Sequence, residues 1–193
     1  MQFKKEEIRI RIVDAARDEF YRRGFEQASM RDIAEAAEVS VSNVYNYFTD
    51  KEDLFCEIVD TFHHDFSRLI DDLTRDASTE DFGEDSLASV IQRIGELVKR
   101  NRIDLLILLD GSQKTKYENF KDELIQVFEE HFREHMGAQT RGGDNLFVFH
   151  LIASHLIEAV LEIARHYVDD EWVDDNLNAL VTYHLFGVTR LFE

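Results

Sequence analysis

The stretch Ser29-Met30-Arg31-Asp32-Ile33-Ala34-Glu35-Ala36-Ala37-Glu38-Val39-Ser40-Val41-Ser42-Asn43-Val44-Tyr45-Asn46-Tyr47-Phe48 decides how this chain folds. Ser29 carries the side-chain oxygen that a helix N-terminus needs and Asp32 stands three residues on, so a short helix opens at Met30 and runs to about Ala37. Its inward residues would be Ile33, Ala34 and Ala37. After Glu38 and Val39, Ser40 repeats the capping signal, and Val44 and Phe48 then share one face of a helix too short to stand alone. Two short helices joined by so brief a turn form a helix-turn-helix, in which the first holds the second steeply and the second offers its polar side to a groove of DNA. Ser42, Asn43, Tyr45, Asn46 and Tyr47 are those outward groups. Asparagine can pair bidentately with adenine, serine adapts as donor or acceptor, and tyrosine hydroxyls reach phosphate. Val41 offers an apolar contact such as a thymine methyl accepts. Lys51 sits at the first position of the next helix, where free N–H groups favour an anion, and is expected to clamp a phosphate.

Upstream, Ile8, Ile12, Val13, Ala16 and Phe20 recur at helical spacing, Arg22 and Arg23 suit a helix C-terminus, and Gly24 supplies the stop. Downstream, Asp50 caps a long helix from Lys51 to about Arg75 with Leu54, Phe55, Ile58, Phe62, Phe66 and Leu69 on one side. A loop-like stretch, 77–85, follows. Further helices are predicted near 86–101, 103–111, 115–138, 144–167 and 171–192, with Gly142, Gly143 and the cap Asp144 between the fourth and its predecessor. Proline is absent and the long segments carry helix formers, so the fold class is all-α. Residues 1–50 are expected to form a three-helix DNA-binding domain and 51–193 a helical regulatory domain.

Charge divides the chain at the same place. Up to Lys51 there are 9 basic and 10 acidic residues; beyond it, 13 and 30, within a formal total of −18. The near-neutral head is the part a polyanion can approach without strong repulsion. The single cysteine, Cys56, cannot form an intrachain disulfide, and the N-terminus lacks the basic-then-apolar order of a secretory signal. A cytoplasmic protein is expected. The most apolar short run, Leu105 to Leu109, falls far short of a bilayer span, so no membrane partner is expected. The predicted last two helices are apolar nearly all round. They run from Leu146 and Phe147 through Leu151, Ile157 and Leu161, then from Trp172 through Leu177, Leu185, Phe186, Val188, Leu191 and Phe192. Such helices need a second partner, which a homodimer supplies along with the two heads a palindromic site requires.

The run Gly24-Phe25, Ser29 through Ser40, Val44-Tyr45-Asn46-Tyr47-Phe48 and Lys51-Glu52-Asp53-Leu54 closely resembles the DNA-binding signature of the TetR family of transcriptional repressors. That resemblance implies a reading head, a helical body dimerising through its last two helices, a small-molecule pocket in the body, and repression released by an inducer. Carried onto this chain, it implies phosphate or base contact at Ser29, Arg31, Val41, Ser42, Asn43, Tyr45, Asn46, Tyr47 and Lys51. Two positions depart from the family pattern. Its usual turn glycine is Glu38 here, which puts an acid near DNA and a side chain at a left-handed position, at a cost of about 1 kcal/mol. Its commonly basic or polar position 41 is Val41. Lys4, Lys5, Arg9 and Arg11 in the arm are expected to compensate by reaching phosphates.

The resemblance further implies that Phe62, Phe66, Leu105, Leu109, Tyr117, Phe120, Phe147 and Leu151 lie on helices enclosing the ligand, with His64 and His155 as candidates to face it. Few cationic anchors stand among them, which favours an apolar or aromatic ligand. No catalysis and no cofactor are expected. His131-Phe132-Arg133-Glu134-His135 matches the H-x-x-E-H pattern of a zinc peptidase, so a metallohydrolase using His131 and His135 is one alternative. Its surroundings read more simply as a solvated helical face, and His63, His150, His166 and His184 are scattered. A helical dimerisation protein that does not read DNA is the other alternative.

Overall fold

Three caps set the N-terminal helices, and each uses the residue that the sequence nominates. The computed structural model describes residues 2–76, 84–136 and 147–192, and side chains within 5–74, 91–134 and 147–183. Ser29 Oγ accepts the Asp32 N–H at 3.1 Å to open α2 (Met30–Ala36), and Ser40 Oγ accepts the Asn43 N–H at 3.2 Å to open α3 (Val41–Val44). Asp50 Oδ1 accepts the Asp53 N–H at 2.8 Å to open α4 (Lys51–Asp76), while Asp53 reaches back to the Thr49 N–H and hydroxyl, both at 2.8 Å. This reciprocal cap holds the Asp53 carboxyl below its ordinary pKa, chiefly through the Thr49 N–H.

Ahead of them, α1 (Gln2–Gln27) is broken at Gly24, whose φ of 71° is the conformation expected of a helix-ending glycine. Then follow α5 (Glu84–Asp110), α6 (Phe120–Met136), α7 (Phe147–Arg165) and α8 (Asp170–Phe192). Among the described residues all regular structure is helical, as the sequence implies. Two boundaries differ. The two helices predicted before 111 are one element, kinked at Asn101 (φ −126°, ψ 24°). The helix predicted from 115 begins only at Phe120. Residues 112–119 instead fold into turns, in which the Ser112 hydroxyl donates to the Tyr117 carbonyl at 3.1 Å and the Thr115 hydroxyl to the Ser112 carbonyl at 2.7 Å. The predicted loop at 77–85 lies outside the described residues up to 83. Gly142, Gly143, Asp144 and Leu146, and the side chains of His135, His184, Leu185, Phe186, Val188, Leu191 and Phe192, also lie outside them.

The chain divides into two compact units. One comprises Met1–Ser67 and Ile103–Phe120, the other Arg68–Arg102 and Lys121–Glu193. The unit holding the helix-turn-helix therefore extends beyond residues 1–50, for a visible reason. Phe55 of α4 meets Phe20 and Phe25 edge-on, with ring centroids 5.2 and 5.3 Å apart, and the Phe25 N–H donates to the Gly111 carbonyl at 2.7 Å. Ile12, Ala16, Ile33, Ala34, Ala37, Val44, Phe48 and Leu54 are buried in the same unit. Each large apolar side chain so buried contributes about 1.5–3 kcal/mol.

In the second unit α7 and α8 pack through Phe149, Ala153, Ile157 and Leu161 on one and Val173, Leu177 and Val181 on the other. Phe147 (64% exposed), Leu151 (52%) and Tyr183 (66%) remain on the outside. By length and composition alone α7 is long and apolar enough to cross a bilayer, at mean hydropathy 1.7. The high hydropathy arises because apolar residues occupy both the packed and the outer side of the helix.

Candidate nucleic-acid interface

The segment from Val41 to Phe48 presents one apolar side and one neutral polar side. Val44 and Phe48 are buried. After α3 the backbone tightens: Asn46 N–H donates to Asn43 O at 3.1 Å and Tyr47 N–H to Val44 O at 3.0 Å. At about 100° per residue, Asn46 stands opposite the buried pair, flanked by Ser42 and Asn43, with Val41, Tyr45 and Tyr47 at the margins. Tyr45 is 51% exposed and Val41 37%. Asn46 Nδ2 donates to Asn43 Oδ1 at 3.5 Å, and the Ser42 and Ser40 hydroxyl oxygens are 3.0 Å apart. The Tyr45 and Tyr47 hydroxyls have no hydrogen-bond partner among the described residues. No residue from Val41 to Phe48 carries a charge.

Glu38 occupies the turn between α2 and α3 with φ 55°, the left-handed conformation expected where a glycine is usual. The Glu38 N–H donates to Glu35 O at 3.1 Å and the Val39 N–H to Ala34 O at 2.9 Å, so the turn is fully closed despite the side chain.

The cations of this unit are mostly spent inside it. Arg9 pairs with Glu57, and Arg11 lies 3.8 Å from the exposed Glu38. Arg17 pairs with Asp104 at 3.1 Å, and burial pushes the Asp104 carboxyl up despite that neighbour. Arg22 and Arg23 flank the buried Glu19 at 3.1 and 3.2 Å, and Arg23 also reaches Asp32 at 3.1 Å. Arg31 and Lys5 are exposed and have no ion pair among the described residues. The Lys4 side chain lies outside them.

Lys51 departs furthest from expectation. Its ammonium donates to the carbonyls of Phe25 at 2.6 Å, Ala28 at 2.9 Å and Glu26 at 3.4 Å, and lies 4.3 Å from the centre of the Phe25 ring. Burial lowers its pKa, against the pull of Glu26. All three donors point into the turn between α1 and α2, so the side chain staples that turn and is no phosphate clamp. Nothing local marks this, because the accepting carbonyls lie on an earlier segment of the chain.

Of the residues suggested for a ligand cavity, four meet. His63 lies 4.7 Å from the Tyr117 ring and 4.5 Å from Phe120, while Phe66 lies 5.6 Å from Phe62 and 6.1 Å from Phe120. Leu105 and Leu109 are buried in the same unit. The Tyr117 hydroxyl donates to Asp60 at 2.6 Å; burial first, and then this bond, push its pKa up to about 12. His64 points outward and corrects the expectation that it faces a cavity. Phe147 and Leu151 are exposed on α7 among the described residues. His155 is exposed too and borders an open groove of about 470 Å³ between α7 and α8, with Glu158, Ile163, Asn176 and Leu180.

A cleft missed in the sequence, about 410 Å³, is lined by Asp122, Ile125, Gln126, Glu129, Glu130, Arg133 and His150. Glu129 bonds both Arg133 at 2.6 Å and His150 at 3.1 Å there. Glu129, Glu130 and Arg133 belong to the run expected to form a solvated face, and His150 beside α6 is what sets them in a cleft. His131 lies on α6 with its ring 5.9 Å from Phe132. Among the described residues no cluster of three His, Cys, Asp or Glu side chains suits a metal ion.

Residues 12–58 match the model of the bacterial regulatory proteins of the tetR family. The HTH-type transcriptional regulator LuxR of Vibrio harveyi is 30% identical over 107 residues, 55% of this chain and 51% of that protein. YdgC of Bacillus subtilis, an HTH-type regulator, is 34% identical over 92 residues, 47% of each chain. The chain thus spans about half the length of the curated relatives it matches. Among solved structures, NalD, the secondary repressor of the MexAB-OprM multidrug efflux pump in Pseudomonas aeruginosa, aligns over 95% of this chain and 96% of its own, with TM-score 0.59 and 21% identity. The FadR regulator of Bacillus subtilis, solved with stearoyl-CoA, aligns over 92% and 98% with TM-score 0.57 and 18% identity. At such identity these structures show a shared fold.

Proposed function

We propose that the chain is a DNA-binding transcriptional regulator of the tetR family, whose model residues 12–58 match. The observation that carries this conclusion is the exposed, uncharged polar side of residues 41–47, held outward by buried Val44 and Phe48. Residues 1–50 read the duplex and 51–193 regulate that reading. Asn43 and Ser42 approach base edges, with Asn46 beside Asn43 and Val41 at the margin. Ser29, Arg31, Tyr45 and Tyr47 approach the backbone: Ser29 keeps its hydroxyl proton to donate after accepting the Asp32 N–H. The protein acts in the cytoplasm as a repressor and has no catalytic step. A homodimer through the exposed faces of α7 and α8 presents two heads to a palindromic operator. A small, largely apolar or aromatic ligand in the body, near Phe62, Phe66, Tyr117 and Phe120, releases it. Ligand need only favour one body conformation by 2–3 kcal/mol, roughly, to change operator affinity about 30- to 150-fold.

The test is a mobility shift of DNA from the gene's own promoter with full-length protein. A discrete complex that survives excess random duplex is expected. Binding no tighter than to random duplex would refute the proposal.

A further inference from the structure

We propose that the segment from Val41 to Tyr47 reads A·T base pairs, Asn43 being the adenine reader and Asn46 its positioning residue. The inference rests on the DNA-binding function above and specifies the sequence class that the head recognises.

In the major groove guanine presents two acceptors, N7 and O6, and is met best by the paired donors of arginine or lysine. Adenine presents an acceptor, N7, beside a donor, the N6 amino group, and is matched by a side-chain amide. Thymine adds a methyl group. The outward side of this segment holds two amides, a hydroxyl and, at its margin, the exposed Val41 and Tyr45; it holds no cation. The neighbouring acid that could accept from cytosine, Glu38, faces Arg11 at 3.8 Å. Lys51, the next cation along the chain, is committed to three carbonyls.

The two amides are arranged for one task. Asn46 Nδ2 donates to one lone pair of Asn43 Oδ1 at 3.5 Å. The second lone pair of that oxygen can accept from adenine N6, while Asn43 Nδ2 donates to N7. The contact from Asn46 favours the Asn43 amide with its oxygen toward Asn46 and disfavours the flipped amide, which would set two amino groups against each other. Val41, exposed at the margin of the segment, offers an apolar contact to a thymine methyl within the same site.

Selection of duplexes from a randomised library by full-length wild type tests this, repeated with Asn43→Ala and Asn46→Ala to locate the pairs beneath the segment. Enrichment of A·T at those pairs is expected, with preference falling about fivefold or more in Asn43→Ala. Asn46→Ala should lose selectivity at the same pair while unfolding at the same urea concentration as wild type. Replacing the thymines there by uracil removes a methyl without touching the protein and should weaken wild-type binding about fourfold. Enrichment of G·C at the pairs the variants identify, or no effect of uracil, overturns the inference and leaves DNA binding standing. Failure to enrich any duplex overturns DNA binding itself.

Discussion

Two surfaces of this chain are left uncovered, and they differ in kind. The outer side of residues 41–47 exposes amides and hydroxyls over a core of Val44 and Phe48, whereas α7 and α8 expose Phe147, Leu151 and Tyr183 over a core of Phe149, Leu161 and Leu177. Both are amphipathic elements with one side packed. A neutral hydrogen-bonding surface suits the edges of base pairs, which keep their donors and acceptors in water until bound. An apolar one gains by leaving water, and a second copy of the same helices offers a matching surface. The same physics therefore separates the face we propose reads DNA from the face we propose joins two copies.

Charge on the joining face should produce the largest effect. Leu151→Glu with Tyr183→Glu is expected to give a monomer by sedimentation and to weaken binding to a two-half-site duplex by about a hundredfold or more, through loss of the linked second head. A dimer that persists would remove the assigned role of α7 and α8. Next comes Lys51→Met, which leaves three carbonyls without their donor. It should destabilise the protein by about 2–3 kcal/mol in urea unfolding, yet leave the salt dependence of DNA binding unchanged. Arg31→Ala should do the reverse. Its stability stays within about 0.5 kcal/mol of wild type, while the slope of log affinity against log salt becomes shallower by about 1 per head, as expected when one phosphate contact is lost.

Glu38→Gly relieves a left-handed side chain and should stabilise the head by about 1 kcal/mol in thermal unfolding, with a modest gain in DNA affinity from removal of an acid. The smallest effect is at Tyr117. Its pKa rises from an ordinary value of 10.0 to about 12 in the folded chain, so the folded state holds the proton more tightly. The associated stability is present below pH 10 and is lost as pH climbs through 12. Tyr117→Phe should flatten that decline in alkaline denaturation curves.

Local chemistry was legible in the sequence, and pairings between distant segments were not. Ser29, Ser40 and Asp50 cap the helices they precede, and Glu38 takes the positive φ expected of a residue in a glycine's place. These features are decided within a few residues. The phosphate role expected of Lys51 fails because its partners are carbonyls on an earlier turn, and Arg9 and Arg17 are engaged by Glu57 and Asp104 from elsewhere in the chain. The late start of α6 likewise depends on Ser112 and Thr115 being buried and bonded within their own turns. Of the ligand candidates, the aromatic group around His63 assembled, while His64, Phe147, Leu151 and His155 ended on the surface, since helical spacing alone does not say which side another helix covers.

The central claim is that a neutral face reads DNA while few cations hold it there. It is tested most directly by fluorescence anisotropy of a promoter duplex titrated with full-length protein across a series of salt concentrations. Lys5 and Arg31 on each of two heads set a slope of about −4 or shallower, with a preference over random duplex that persists at every salt concentration. A steep slope with no preference at moderate ionic strength would mean that binding is merely electrostatic, and the claim would be wrong.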